Sequence, residues 1–171
     1  MTRIYVGPGP LVDLGTVGET DLLGAFDGDV VIPERVAAEV STEPAKTNMA
    51  KLVADGTAIR EPVETEHADR AMDIVGVEGP VVESRLLECV LESTDADSDG
   101  RSPGLVTDDQ YLRTVADGLG ATVTGTFGVV VRAANEDKYL KKTQAKRIVR
   151  RIDSHGLHLT GELRAQAVGD R

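Results

Sequence analysis

Two adjacent carboxylates, Asp108 and Asp109, follow directly on the segment Leu105-Val106-Thr107. This segment is typical of a buried strand, and a helical pattern of apolar residues begins just after the two acids. Because open α/β sheets bind ligands beyond the carboxyl ends of their strands, the pair predicts an acidic pocket at that edge of a parallel sheet. A plainer interpretation is that Asp108 and Asp109 cap the following helix. One cap, however, needs only one of the two carboxylates.

The rest of the chain alternates between strand-like and helical patterns, which predicts a three-layer α/β/α fold with a mainly parallel central sheet. Gly7-Pro8-Gly9-Pro10 is interpreted as a turn between the first strand and the first helix. Pro33 is expected in the first turn of a helix that carries Glu39 near its end. Another helix is predicted from Gly79-Pro80 to about Glu92, and residues 71–77 fit either a helix end or a loop. Strands are predicted at residues 3–6, 30–32, 57–60, 105–107 and 121–124.

Length and composition indicate one domain over residues 1–171, with residues 93–104 as an exposed loop insertion. The chain has 29 acidic and 19 basic side chains, for a net charge of -10. Such a surface is typical of a halophilic cytosol, where salt screens the self-repulsion. No apolar run could cross a bilayer and no signal-peptide pattern is found, so we expect a cytoplasmic protein without membrane contact. Cys89 lies in an apolar helical pattern and is expected to be a buried structural thiol.

Basic residues are concentrated in one helical stretch near the end of the chain, where they could track a phosphate backbone. The candidate nucleic-acid-binding residues are Lys138, Lys141, Lys142, Arg147 and Arg150. The alternative is a solvated helix whose charges balance neighbouring acids, because Tyr139 alone among aromatic residues lies between the bases for stacking. The sequence leaves both interpretations open.

Several segments, taken in their order and spacing, resemble the PIN-domain superfamily. The most similar branch is the prokaryotic one with Asp-Asp and Gly-Thr-x-Gly signatures, and the resemblance extends from about residue 3 to residue 163. It is carried by Pro10-Leu11, Leu22-Leu23, the segment from Val31 to Val40, Thr107-Asp108-Asp109 with Arg113 and Ala116, and Gly125-Thr126-Phe127-Gly128-Val129.

PIN domains are typically metal-dependent ribonucleases, many of them toxins of toxin–antitoxin pairs, in which several carboxylates converge on magnesium or manganese. Such hard cations take oxygen ligands, polarise the phosphate and activate a water molecule. The resemblance implies that Asp109 and Glu39 are metal ligands and catalytic residues, with the neighbouring Asp108 as a further ligand. Glu83 is the nearest match to the catalytic acid of the middle helix, although Pro80 stands where that branch commonly has glutamate.

The main departure from the family pattern is Gly7, which occupies the position of the leading aspartate. Glycine offers no side-chain oxygen to a cation, and Asp13, almost two helical turns further on, is not expected to substitute for it. One hypothesis is therefore a toxin-type endoribonuclease whose reduced acidic site holds Mg²⁺ or Mn²⁺. The other is a catalytically inactive PIN-like module, without a cation, that binds RNA or a protein partner. The resemblance also implies an antitoxin-like partner and a homodimer.

Overall fold

The computed structural model describes residues 2–95, 102–135 and 141–154. Its strands are β1 (Arg3–Val6), β2 (Asp29–Pro33), β3 (Ala58–Glu61), β4 (Gly104–Val106) and β5 (Thr122–Thr124). Its α-helices are α1 (Pro8–Thr16), α2 (Glu34–Glu39), α3 (Ala45–Ala54), α4 (Ala68–Val75), α5 (Val82–Asp95), α6 (Gln110–Gly118), α7 (Thr126–Asn135) and α8 (Lys142–Ser154). A 3₁₀ helix covers Thr20–Ala25.

The five strands form one parallel sheet in the order β3-β2-β1-β4-β5. β1 is central, because Tyr5 pairs with Val31 of β2 on one side and with Leu105 of β4 on the other. Since every pairing is parallel, the carboxyl ends of all the strands lie at one edge of the sheet. The segments that follow β1, β4 and β5 therefore meet at that edge.

Helices cover both faces of the sheet, and the predicted three-layer α/β/α fold is confirmed. Helices α1, α3, α7 and α8 pack against one another in one layer, whereas α4, α5 and α6 form the other. The core consists of aliphatic strand residues, such as Val6, Ile32 and Leu105, and the inward faces of the helices. No helix within the described ranges is long and apolar enough to cross a membrane.

The first helix begins earlier than the sequence pattern predicts. The expected turn at Gly7-Pro8-Gly9-Pro10 is wrong, because α1 starts at Pro8. Proline suits the first turn of a helix, since its fixed φ is already helical and its missing N–H has no partner there in any case. The residues that follow are thereby brought closer to the end of β1.

Several other boundaries differ from the predicted ones. α5 begins at Val82 and continues to Asp95. Residues 71–75 belong to α4, which ends at Val75 and is capped by Gly76 in a left-handed conformation. The predicted loop 93–104 is too long at both ends, because Ser93 belongs to α5 and Gly104 to β4. Residues 96–101 of that loop lie outside the described ranges.

Cys89 is buried within α5, as predicted. Burial raises the pKa of the Cys89 thiol to about 12, with a smaller contribution from the adjacent carboxylate of Glu88. The reactive thiolate is therefore disfavoured at neutral pH, which fits a packing role rather than a nucleophile.

Candidate functional site

Asp108 follows β4 and makes two hydrogen bonds to Thr126, the first residue of α7. The backbone N–H of Thr126 donates to Oδ1 of Asp108 at 2.9 Å, and the Thr126 hydroxyl donates to Oδ2. Thr126 is completely buried, so these groups have no access to water. Asp108 thus caps the N-terminus of α7 from a different segment of the chain, where a negative charge is also favoured by the helix dipole.

Gly125 makes this contact possible. A Cβ atom at position 125 would overlap Oδ1 of Asp108 and would lie only 3.4 Å from the carbonyl oxygen of Thr107. A residue with a side chain would therefore push the Asp108 carboxylate away from the amide of Thr126. Gly125 therefore allows the segment before α7 to lie close to the segment that follows β4.

Asp13 lies beside the same threonine, with its Oδ2 atom 3.4 Å from the Thr126 hydroxyl oxygen. Burial and the nearby charge of Asp108 raise the pKa of Asp13 to about 6, and the hydroxyl of Thr126 offsets part of this rise. Asp13, Thr126 and Asp108 therefore form one cluster, which we call the carboxylate pair with its bridging threonine. Asp13, which is not expected to substitute for an acid at position 7, thus lies at the acidic edge of the sheet.

The early start of α1 explains how Asp13 reaches this cluster. Gly9 and Asp13 are four residues apart on α1 and share one face of the helix. A Cβ atom on Gly9 would lie 3.7 Å from Oδ2 of Asp108, so this face is turned toward Asp108. The signal that could have identified Asp13 is the proline at position 8, which fits the first turn of a helix.

Asp109 has a different role from its neighbour. Its Oδ1 atom accepts a 2.8 Å hydrogen bond from the backbone N–H of Leu112, which makes it the N-cap of α6. The capping interpretation is therefore confirmed for Asp109. For Asp108 it is wrong in one respect, because Asp108 caps α7 rather than the helix that follows it in sequence.

The two predicted glutamates lie on other helices. Glu39 is the last residue of α2 and is exposed, and Glu83 is half-buried in the first turn of α5. Neither side chain hydrogen bonds to Asp108 or Asp109 among the residues described. Across residues 2–95, 102–135 and 141–154, no group of three or more His, Cys, Asp or Glu side chains is arranged to hold a metal ion.

The predicted basic helix is amphipathic. α8 buries Ala145, Ile148, Val149 and Ile152, and it leaves Lys142, Arg147 and Arg150 exposed, with Lys141 exposed just before its start. Lys138 lies outside the described residues. Arg151 differs from these bases, because its guanidinium donates to the carbonyl of Val17 at the end of α1. The exposed bases thus form one charged surface on the outside of the helical layer.

These features define an α/β protein with an acidic cluster at the carboxyl edge of a parallel sheet and an exposed basic helix. A family model of the PIN domain matches residues 6–170, and the chain belongs to the PIN-domain family. No curated protein and no solved structure shows significant similarity to the chain. Membership of this family indicates a nucleic-acid-associated function.

PIN domains are generally dependent on a divalent cation, and the donor set of this chain does not fit one. Gly7 contributes no oxygen at the end of β1, and both oxygens of Asp108 already accept hydrogen bonds from Thr126. Asp109 is engaged as a helix cap. A hard divalent cation needs several carboxylate oxygens that point to one place, and the described residues show no group of three or more that is so arranged.

Proposed function

We propose that this PIN-domain chain binds RNA without cleaving it. The observation that carries the proposal is the double hydrogen bond from Thr126 to Asp108, which engages a carboxylate that the resemblance implies as a further metal ligand. The absence of a carboxylate at position 7 also argues against hydrolysis. Metal-dependent hydrolysis requires oxygen ligands that hold the cation against the phosphate, and the acidic edge of this sheet has become a structural element instead.

Helix α8 supplies the surface for the RNA backbone. Lys142, Arg147 and Arg150 are exposed, and so is Lys141 just before the start of the helix. In a chain with a net charge of -10, such a local concentration of bases directs a polyanion to one place. Contacts of this kind recognise phosphates rather than base sequence, and they weaken as salt increases.

A metal-dependent endoribonuclease of toxin–antitoxin type is the second candidate. The approach of Asp13 to Asp108 favours it, because two carboxylates in one partly buried cluster repel each other and a cation would relieve that repulsion. If the chain is such a nuclease, Asp13 and Asp108 would hold Mg²⁺ or Mn²⁺. Asp109, Glu39 or Glu83 would then be further ligands. An antitoxin-like partner, a homodimer and a cytoplasmic location remain predictions that accompany it.

Fluorescence anisotropy with a labelled single-stranded RNA tests the first proposal. The variant is the triple change Lys142→Ala, Arg147→Ala and Arg150→Ala. Its control removes three exposed bases on other helices, with Arg35→Ala, Lys51→Ala and Arg70→Ala. Because each phosphate contact releases counterions, we expect the α8 variant to bind RNA about tenfold more weakly or worse, at about 0.1 M salt, while the control binds like the wild type. Equal losses in the two variants would contradict a role for α8.

Cleavage of the same RNA with manganese separates the two candidates. We expect the wild-type chain to leave the RNA intact, and calorimetric titration of manganese in high potassium chloride to show no saturable binding. Saturable binding that Asp108→Asn or Asp109→Asn removes, together with cleavage that either variant abolishes, would instead establish the nuclease.

A further inference from the structure

A cavity of about 280 Å³ lies on the face of the sheet beside α7. None of Asp13, Asp108 and Thr126 lines it, so it is separate from the carboxylate pair. Its floor and walls are largely apolar and include Ile4, Leu105 and Val106. A space of this size and polarity is suited to a flat organic group rather than to an ion.

Two glycines help to keep the cavity open. Gly104 of β4 and Gly128 of α7 both line it. A Cβ atom on Gly128 would overlap the hydroxyl of Thr124, and one on Gly104 would crowd Ile4 at 3.1 Å. Thr122 and Thr124 also line the cavity, and each carries a hydroxyl that can form hydrogen bonds.

Arg132 provides the cation of this cavity. Its guanidinium carbon lies 5.2 Å from the centroid of the Phe26 ring, and this contact holds the planar group in one orientation. Its Nε atom is buried and lacks a hydrogen-bond partner, and Arg132 forms no ion pair with any residue in the described ranges. Asp27, next to Phe26, is exposed at the rim of the same cavity.

The chemistry of these groups selects a ligand. A guanidinium fork is best matched by two acceptors in one plane, and guanine is the base that presents O6 and N7 in this way. Adenine presents a donor in place of the second acceptor. The imino and amino groups on the other edge of guanine are donors, for which the Asp27 carboxylate is the matching acceptor. The apolar walls can enclose the faces of the ring.

We propose that the cavity lined by Phe26 and Arg132 binds an unpaired guanine base. Recognition of a splayed-out base in an apolar pocket with an arginine is a common way to read single-stranded RNA. For an RNA strand the inference rests on the proposed function, because α8 would hold the backbone while the cavity accepts a base. A free guanosine nucleotide carries the same base and is the other source of this ligand.

Calorimetric titration of GMP and AMP into the full chain tests the cavity independently of RNA. A bidentate contact to guanine discriminates strongly, so we expect GMP to bind about tenfold more tightly than AMP or better. Arg132→Gln should weaken GMP binding by a similar factor, and Asp27→Asn should reduce the preference for GMP over AMP. Arg35→Gln, an exposed arginine on α2, is the matched control and should bind GMP like the wild type.

Arg132→Lys separates loss of the ligand contact from misfolding, because it keeps the charge of the side chain and removes only the guanidinium fork. If Arg132→Lys melts like the wild type yet loses the preference for GMP, the fork is established. Equal binding of GMP and AMP by the wild type, or unchanged binding by both Arg132 variants, would overturn the inference.

Binding measurements with two RNAs, one of uridine only and one that contains guanine, distinguish the guanine cavity from the proposed function. A uridine-only RNA that requires the α8 bases, together with no GMP binding, would preserve the proposed function and reject the guanine cavity. Selective GMP binding without any RNA binding would do the reverse and identify a free nucleotide as the ligand. A guanine-containing RNA that binds more tightly than the uridine-only RNA, through Arg132, would support both.

Discussion

The carboxylate of Asp108 and the first residue of α7, Thr126, are joined by two hydrogen bonds across eighteen positions of the chain. The contact ties the end of β4 to the start of α7, and it satisfies a backbone amide and a hydroxyl that are shielded from water. Asp108, which the resemblance implies as a further metal ligand, therefore stabilises the fold.

Removal of the two adjacent acids should therefore have unequal effects. Asp108→Ala leaves the buried amide of Thr126 without a partner and its hydroxyl with only the long contact to Asp13, and we expect it to lower the free energy of unfolding by about 2 to 3 kcal/mol. Asp109→Ala removes only an exposed helix cap and should lower it by about 1 kcal/mol. Urea denaturation of both variants measures the difference. A larger effect at Asp109 would mean that the contact to Thr126 contributes little.

Stability should depend on pH through Asp13. Its pKa is about 6 in the folded chain, against an ordinary value of 3.8, because of burial and the charge of Asp108. The folded state therefore holds the proton more tightly than the unfolded state, and this stabilisation is lost as pH rises through the interval between the two values. At neutral pH, Asp13→Asn should raise the free energy of unfolding by about 1 kcal/mol, given the partial exposure of the group.

Denaturation midpoints of the wild type and Asp13→Asn, measured from about pH 4 to about pH 8, test this prediction. Burial also raises the pKa of Glu19, so the difference between the two proteins, rather than the wild-type curve, isolates Asp13. The control is Asp117→Asn, an exposed acid on α6. A constant difference across the whole pH range would contradict a raised pKa at Asp13.

A carboxylate at position 7 should restore part of a cation site. Gly7 has an ordinary extended conformation, with φ -81° and ψ 169°, and an added Cβ atom would have no neighbour closer than 3.4 Å. Gly7→Asp therefore places a third acid near the carboxylate pair without backbone strain. We expect saturable manganese binding, measured by calorimetry, to appear in Gly7→Asp although the wild type shows none, because each oxygen ligand adds to the coordination of a hard cation.

Gly79→Asp is the matched control for that experiment, since an added Cβ atom there meets nothing within 4 Å and the site is remote in sequence from the acidic edge. Equal affinities of the two aspartate variants would show that the missing ligand is not what limits cation binding.

High salt should stabilise the folded chain. With a net charge of -10, the compact state suffers self-repulsion that dissolved ions screen. We expect the melting temperature to rise as potassium chloride is increased from about 0.1 M to molar concentrations. Glycine betaine, which carries no net charge, is the comparison: a rise that betaine reproduces in full would argue against screening and against adaptation to a saline cytosol.

Local sequence patterns predicted the strands well, because a short apolar segment between polar turns has few alternatives to a buried parallel strand. They predicted Asp109 as a helix cap for the same reason, since the capped amide of Leu112 is three residues away. The beginning of α1 was misjudged because Pro8 and Gly9 resemble a turn when they are considered in isolation.

The composition of the acidic cluster depends on contacts between distant segments, which local patterns do not specify. Asp13 reaches Thr126 across 113 positions, and Asp108 turns away from its own helix to cap another. The resemblance to a family implies Asp109 and Glu39 as cation ligands, with Asp108 as a further ligand. It could not indicate that the amide and the hydroxyl of Thr126 would engage Asp108.

The strand order has a consequence for how the chain folds. β1 is central, yet its partner β4 follows much later in the chain, with Ile4 paired to Gly104. β1, β2 and β3 can associate soon after they are synthesised, but one side of β1 stays open until β4 arrives. Because distant pairings form slowly, the emerging chain exposes an unpaired, strongly apolar strand edge for most of its synthesis. A chaperone would therefore matter for this protein by covering the open edge of β1 during synthesis rather than the surface of the folded chain.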